Sequence, residues 1–110
     1  MDRLDSLNAV RNFALKQPAS LGRDSYFGKC NVIAGTLLYQ NVSVSISYNI
    51  EFGEYKVAIL WEEDTSQPYY KSIGLYGSYS SNYQSFKFDE ESNALTFIDD
   101  PYSISIHPCK

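Results

Sequence analysis

Two hydrophobic periodicities divide this chain near residue 29. In the first stretch Leu4, Leu7, Val10, Phe13, Ala14 and Leu15 recur at helical spacing. At about 100° per residue they cover an arc of roughly 200°, which predicts a helix over 2–16 that lies on another element. Asp2 is the expected N-cap, Asp5 suits the positive end of the helix dipole, and Pro18 stops continuation. Arg11 falls inside the apolar arc, so its stem must run along the core and carry the guanidinium outward. Residues 17–29 are rich in turn formers and read as a connector.

Beyond the connector the period is two. Along Val42-Ser43-Val44-Ser45-Ile46-Ser47-Tyr48-Asn49-Ile50 apolar side chains alternate with small polar ones, the pattern of a strand with one wet face. Tyr55, Val57, Ile59 and Trp61 share a face of the next strand, with Lys56, Ala58 and Leu60 behind them. The same alternation predicts strands near 30–39, 69–76, 83–88, 94–99 and 102–107. Turn formers separate them at Gln40-Asn41, Gly53, Thr65 through Pro68, Gly77-Ser78, Asp89 through Asn93 and Asp99-Asp100-Pro101. Short connections favour antiparallel pairing of sequence neighbours, and serine-lined backs argue against a parallel sheet covered on both sides. The expected fold is therefore α+β: an N-terminal helix packed on a curved antiparallel sheet or half-open barrel of six to seven strands. The 110 residues form a single domain, 1–110.

Composition narrows the partners. A hydrophobic share of 44% supports a core rather than a disordered chain. Thirteen acidic residues against nine basic ones leave a net charge of −4. Such a surface repels nucleic-acid backbones and anionic membranes, so direct binding to either is not expected, whereas a partner with a basic surface is attracted. Met1-Asp2-Arg3-Leu4-Asp5 places charges where a secretory signal needs an apolar run, and no stretch is long enough to span a bilayer. A cytoplasmic setting follows, with Cys30 and Cys109 as free thiols, although their strands leave a bridge geometrically open. In that setting the glycosylation acceptor Asn41-Val42-Ser43 goes unused.

Candidate chemistry is sparse. His107 is the only histidine. It alternates onto the same strand face as Cys109, but nothing in the sequence orients its imidazole as the base of a thiol dyad. Signatures for phosphate, dinucleotide and metal sites are missing, so no catalytic residue, metal or cofactor is expected. The carboxylates Glu62, Glu63 and Asp64 follow one strand, and Asp89, Glu90 and Glu91 follow another. In a simple meander these two bends are separated by two strands and emerge at the same end, where six negative charges would meet a basic partner. Their spacing matches no calcium loop.

A second surface is Tyr76-Gly77-Ser78-Tyr79-Ser80-Ser81-Asn82-Tyr83, whose mix of tyrosine with small polar residues is that of adaptable binding loops. Tyr76, Tyr79 and Tyr83 are its contact candidates. Tyr39, Tyr69 and Tyr70 add rings, and Tyr70 alternates onto the side of Tyr76, giving an outer patch that a second copy would cover in a homodimer.

The expected function is a non-catalytic protein-interaction module, such as a small acidic inhibitor, an immunity-type protein or an assembly accessory. The alternative is a small apolar-ligand carrier with a pocket between sheet and helix, lined by Trp61, Tyr55 and Phe86. An enzyme of unknown class comes third.

Overall fold

The computed structural model describes residues 2–17, 25–64 and 71–109, with the backbone alone described at 61–64 and 71–76. Its elements are α1 (Arg3–Lys16), β1 (Ser25–Ala34), β2 (Leu37–Asn49), β3 (Glu54–Asp64), β4 (Lys71–Ser80), β5 (Lys87–Asp89), β6 (Ala94–Asp99) and β7 (Tyr102–Pro108). The strands form one seven-stranded sheet in the order β4-β3-β2-β1-β7-β6-β5, every pairing antiparallel. The sheet curls into a half-barrel with α1 against its concave face, the expected α+β class.

The helix begins and ends where its local chemistry dictates. The Asp2 carboxylate accepts from the Leu4 N–H at 2.9 Å and the Asp5 N–H at 3.5 Å, satisfying two donors that a first turn leaves without partners. At the other end the Gln17 backbone turns extended. The buried face differs from the expected arc. Ser6, Ala9, Val10, Phe13, Ala14 and Gln17 are buried, while Leu4 and Leu15 are exposed. The helix is rotated so that two polar residues enter the core, each fully bonded. The Ser6 hydroxyl donates to the Gln84 carbonyl at 2.6 Å and accepts from the Phe86 N–H at 3.0 Å. The Gln17 amide donates to the Phe13 carbonyl and exchanges bonds with Asn93. Arg11, whose guanidinium is expected to run outward, is instead bonded to the buried Tyr55, its Nε donating to the hydroxyl at 3.4 Å.

Two turn signals act differently from the expectation, and one turn falls inside an expected strand. Residues 30–39 are not one strand: β1 starts at Ser25, inside the expected connector, and ends in a two-residue turn, Gly35-Thr36, between the paired Ala34 and Leu37. Gly35 sits at φ 63, the first-position conformation of a type II′ hairpin. Gln40-Asn41 is a bulge inside β2, because Cys30 pairs with Val42 but Val32 pairs with Tyr39. Asn41 adopts φ 57 there, and its N–H donates to the Asn31 side chain. Gly77-Ser78 lies within β4 rather than in a turn, and the expected strand 83–88 reduces to the three residues of β5. The expected turn Thr65–Pro68, together with Tyr69 and Tyr70, lies outside the described residues.

Curling is what joins the two sheet edges. Tyr79 of β4 packs on Phe97 of β6 at 4.6 Å and donates its hydroxyl to Asp99 at 2.8 Å, although four strands lie between β4 and β6 in the sheet order. Phe86 completes this cluster against Phe97 at 4.7 Å. On the helix side Phe13 meets Tyr26 edge-on at 5.6 Å and Phe88 at 6.0 Å. Glycine makes two of these rings fit. A Cβ on Gly28 would lie 2.8 Å from the Tyr26 ring, and one on Gly77 would lie 2.6 Å from the Tyr79 ring. Each ring is laid along its own strand over a residue without a side chain.

Two substitutions measure these contacts. Phe13→Ala should destabilise the fold by about 3–5 kcal/mol, the range for emptying a buried phenylalanine site. Gly77→Ala should cost about 1–3 kcal/mol, because the Tyr79 ring is held by Phe97 and Asp99 and cannot swing aside. Urea unfolding followed by circular dichroism reads both.

Candidate functional site

Between β4 and β5 the chain crosses from one sheet edge to the other, and residues 81–86 make that passage beneath the first turns of α1. Every anchor is specific. The Ser81 hydroxyl accepts from the Tyr55 N–H, and the Ser81 N–H donates to the Tyr55 carbonyl, both at 2.9 Å. The Ser80 hydroxyl donates to the buried Glu54 carboxylate and accepts from the Asn82 N–H. Ser6 then clamps Gln84 and Phe86 from above. The crossing thus divides the surface around the start of α1 into two flanks.

The flank toward β5 is a groove of about 520 Å³ between α1 and the 85–90 segment. Ala9, Phe86 and Phe88 give it apolar lining; Asp2, Asp5 and Glu90 bring carboxylates, and Lys87 is its one cation among the described residues. Asn8 and Asn12 add amides along the helix. Asp89 and Glu91 are exposed beside Glu90, with the Glu91 N–H donating to the Asp89 carboxylate. The flank toward β3 carries two cations and one carboxylate among the described residues. A cavity of about 400 Å³ is lined by Arg3, Phe52, Glu54, Lys56, Asn82 and Tyr83. Tyr83 is 81% exposed and Phe52 64%. The Lys56 ammonium lies 3.9 Å from Glu54, whose carboxylate is nearly enclosed, and the Phe52 carbonyl accepts from the Asn82 amide.

The ten residues singled out from the sequence scatter. Glu62, Glu63 and Asp64 lie within β3, paired with Ile73, Ser72 and Lys71, and not in a bend after it; their side chains are outside the described residues. Five antiparallel pairings separate β3 from β5. An odd number reverses direction, so the 62–64 end and the 89–91 turn emerge at opposite ends of the sheet. The gathering of six carboxylates is therefore overturned: β4 and β5 are not a hairpin, and the crossing changes the parity that a meander assumes. Glu90 instead joins Asp2 and Asp5, which the sequence marks only as helix-capping residues. Of the tyrosines, Tyr83 is displayed and Tyr79 is buried with its hydroxyl used internally. Tyr76 occupies a bulge position in β4, between the partners of Ile59 and Leu60. Its side chain, like the whole of Tyr70, is outside the described residues. Of the residues expected to line a ligand pocket, Tyr55 packs against Tyr48 and Phe86 against Phe97, while Phe86 also lines the groove beside α1; the Trp61 side chain is not described.

His107 and Cys109 are each bonded to other side chains. His107 Nε2 bonds the Ser105 hydroxyl at 2.8 Å, and the Cys109 thiol donates to the Asn31 side chain at 3.5 Å. Both cysteines are free, Cys30 buried and Cys109 exposed. Among the described residues no cluster of three metal-ligating side chains occurs, and no helix is long and apolar enough to cross a membrane.

Burial, the largest cause, pushes the Cys30 thiol up from 9.0 to about 11, while its bond with the Tyr26 hydroxyl pulls the other way. Tyr26 is itself pushed up, by burial first and then by Cys30. Both groups are neutral at pH 7, and the unfolded chain loses their protons at lower pH than the folded one. Stability therefore falls as pH rises from about 9 through about 11. The urea midpoint should drop across that window in the native chain and drop less steeply in Cys30→Ala. At pH 8 a maleimide should label Cys109 and spare Cys30 until urea is added.

Comparison with protein-family models, curated proteins and solved structures finds no match to this chain, so the two flanks of α1 carry the functional argument by themselves.

Proposed function

We propose that this chain is a non-catalytic protein-interaction module that receives a basic segment of a partner protein in the groove between α1 and the 85–90 segment. The observation that supports the reading most is the pairing of an apolar lining, Ala9, Phe86 and Phe88, with carboxylates at Asp2, Asp5 and Glu90. Apolar contacts exclude water and supply affinity, whereas charge selects the partner and speeds encounter. Asp89 and Glu91 extend the negative field beyond the groove. β5 lies at the edge of the sheet order, and an edge strand offers main-chain groups to an extended peptide. An acidic inhibitor, immunity-type protein or assembly accessory working in the cytoplasm, where both thiols stay reduced, is the role that fits this chemistry.

The reading is tested with a defined probe, a short extended peptide alternating lysine and leucine, titrated into isotope-labelled protein. Chemical-shift changes should concentrate at residues 2–12 and 85–90. Asp5→Lys with Glu90→Lys should weaken binding at least about tenfold, the scale of losing close charge pairs. Equal binding of a glutamate–leucine peptide, or shifts confined to other surfaces, would reject it.

A further inference from the structure

We infer that the first turn of α1 is the centre of a two-fold symmetric interface between two copies of this chain. The inference rests on reading the acidic groove as a protein-docking surface, and it names a second copy as an occupant.

The surface is self-complementary. Leu4 is 64% exposed and points away from the core. At about 100° per residue its outward neighbours on the helix separate to either side. Asp2 and Asp5 go to the groove with Glu90, where Lys87 offsets one of three carboxylates, and Arg3 goes to the opposite cavity with Lys56, Phe52 and Tyr83, where the enclosed Glu54 offsets one of two cations. Anions and cations thus stand about one helix diameter apart, roughly 10 Å, on either side of an apolar residue. A two-fold axis through this turn lays the Arg3–Lys56 flank of one copy on the Asp2–Asp5–Glu90 flank of the other, and the reverse contact follows by symmetry. Leu4 meets its own image at the axis, and the displayed Tyr83 ring reaches the lining formed by Phe86 and Phe88. Apolar contact at the centre with charge toward the rim is the anatomy of a protein interface. Each copy carries −4 overall, so long-range repulsion opposes the local match and keeps the dimer weak.

Sedimentation equilibrium from about 10 µM to about 1 mM should show a reversible monomer–dimer equilibrium in the native chain. Two variants separate the flanks: Arg3→Glu with Lys56→Glu makes both acidic, and Asp5→Lys with Glu90→Lys makes both basic. Each alone should associate at least about tenfold more weakly. Mixed one to one, they should form a heterodimer, because both contacts are again between opposite charges. Leu4→Ala with Tyr83→Ala in both members should weaken that heterodimer at least about tenfold, which mere attraction between an acidic and a basic protein would not do. All substituted residues are exposed, and circular dichroism checks that each variant folds. A native chain that stays monomeric to about 1 mM, or a mixture insensitive to Leu4 and Tyr83, overturns the inference. If the lysine–leucine peptide still binds a strictly monomeric chain, the dimer fails and the groove reading stands. If the chain dimerises as described but ignores the peptide, the reverse holds.

Discussion

A sheet with one apolar face can bury it by curling or by accepting a helix, and seven strands of this length do both. The decisive contact is Tyr79 on Phe97, with Phe86 beside them. It brings the β4 edge across to β6, leaving a trough that a single helix fills through Phe13, Val10 and Ala14. Curl in turn needs local freedom in the backbone. Bulges at Gln40-Asn41 and at Tyr76 add residues to one strand of a pair, increasing twist, and Gly28 and Gly77 leave room for rings to lie along their strands. Once the edges meet, the chain must pass from one to the other inside 81–86, under the helix. The Ser6 clamp on that passage fixes where α1 begins, and both candidate surfaces are consequences of that position.

What was legible beforehand follows from which signals are local. The helix and its ends could be read because capping by Asp2 and blocking by Pro18 act within a few residues. Inner strand faces could be read because alternation survives wherever one side is wet; Val42, Val44, Ile46, Val57, Ile59, Ile104 and Ile106 are all buried. Turn positions were less secure for a physical reason. A left-handed asparagine serves a hairpin and a bulge equally well, so Asn41 carries no label saying which. A glycine beneath a tyrosine ring resembles a glycine in a turn, which is how Gly77 misleads. The helix face is not legible because Ser6 and Gln17 look like surface residues until their distant partners, Gln84, Phe86 and Asn93, are known.

The candidate surfaces depended on information of another kind, the order of strands. Side-chain chemistry placed negative charge at 62–64 and 89–91 correctly along the chain, yet whether they meet is decided by parity through the ladder, and one edge-to-edge crossing reverses it. That crossing is also what sets Glu90 opposite Asp2 and Asp5, more than eighty residues away in sequence. Tyrosine gives the same lesson at smaller scale. Tyr79 and Tyr83 stand four residues apart in one polar, aromatic run. The hydroxyl of one is spent on Asp99 in the closed seam, and the other ring is presented to solvent. Nothing in the run itself distinguishes a closing residue from a displayed one.

The rotation of α1 sets the proposed surface as well as the packing. Burying Leu4 instead of exposing it would be worth roughly 1.5–3 kcal/mol by transfer, and a turn of the helix by roughly 80° about its axis would also bring Leu15 inward. The chain keeps the opposite arrangement, with a serine inside and two leucines outside. Ser6 explains the inner half of that choice, since only a small hydroxyl can both donate to Gln84 and accept from Phe86 while letting the crossing pass. It does not explain why position 4 is leucine, because any polar residue there would leave the clamp intact. Local conflicts of this kind, where the hydrophobic pattern disagrees with the packed structure, gather where a protein meets something outside itself. An exposed leucine between the two flanks is the residue that the proposed two-fold contact would cover.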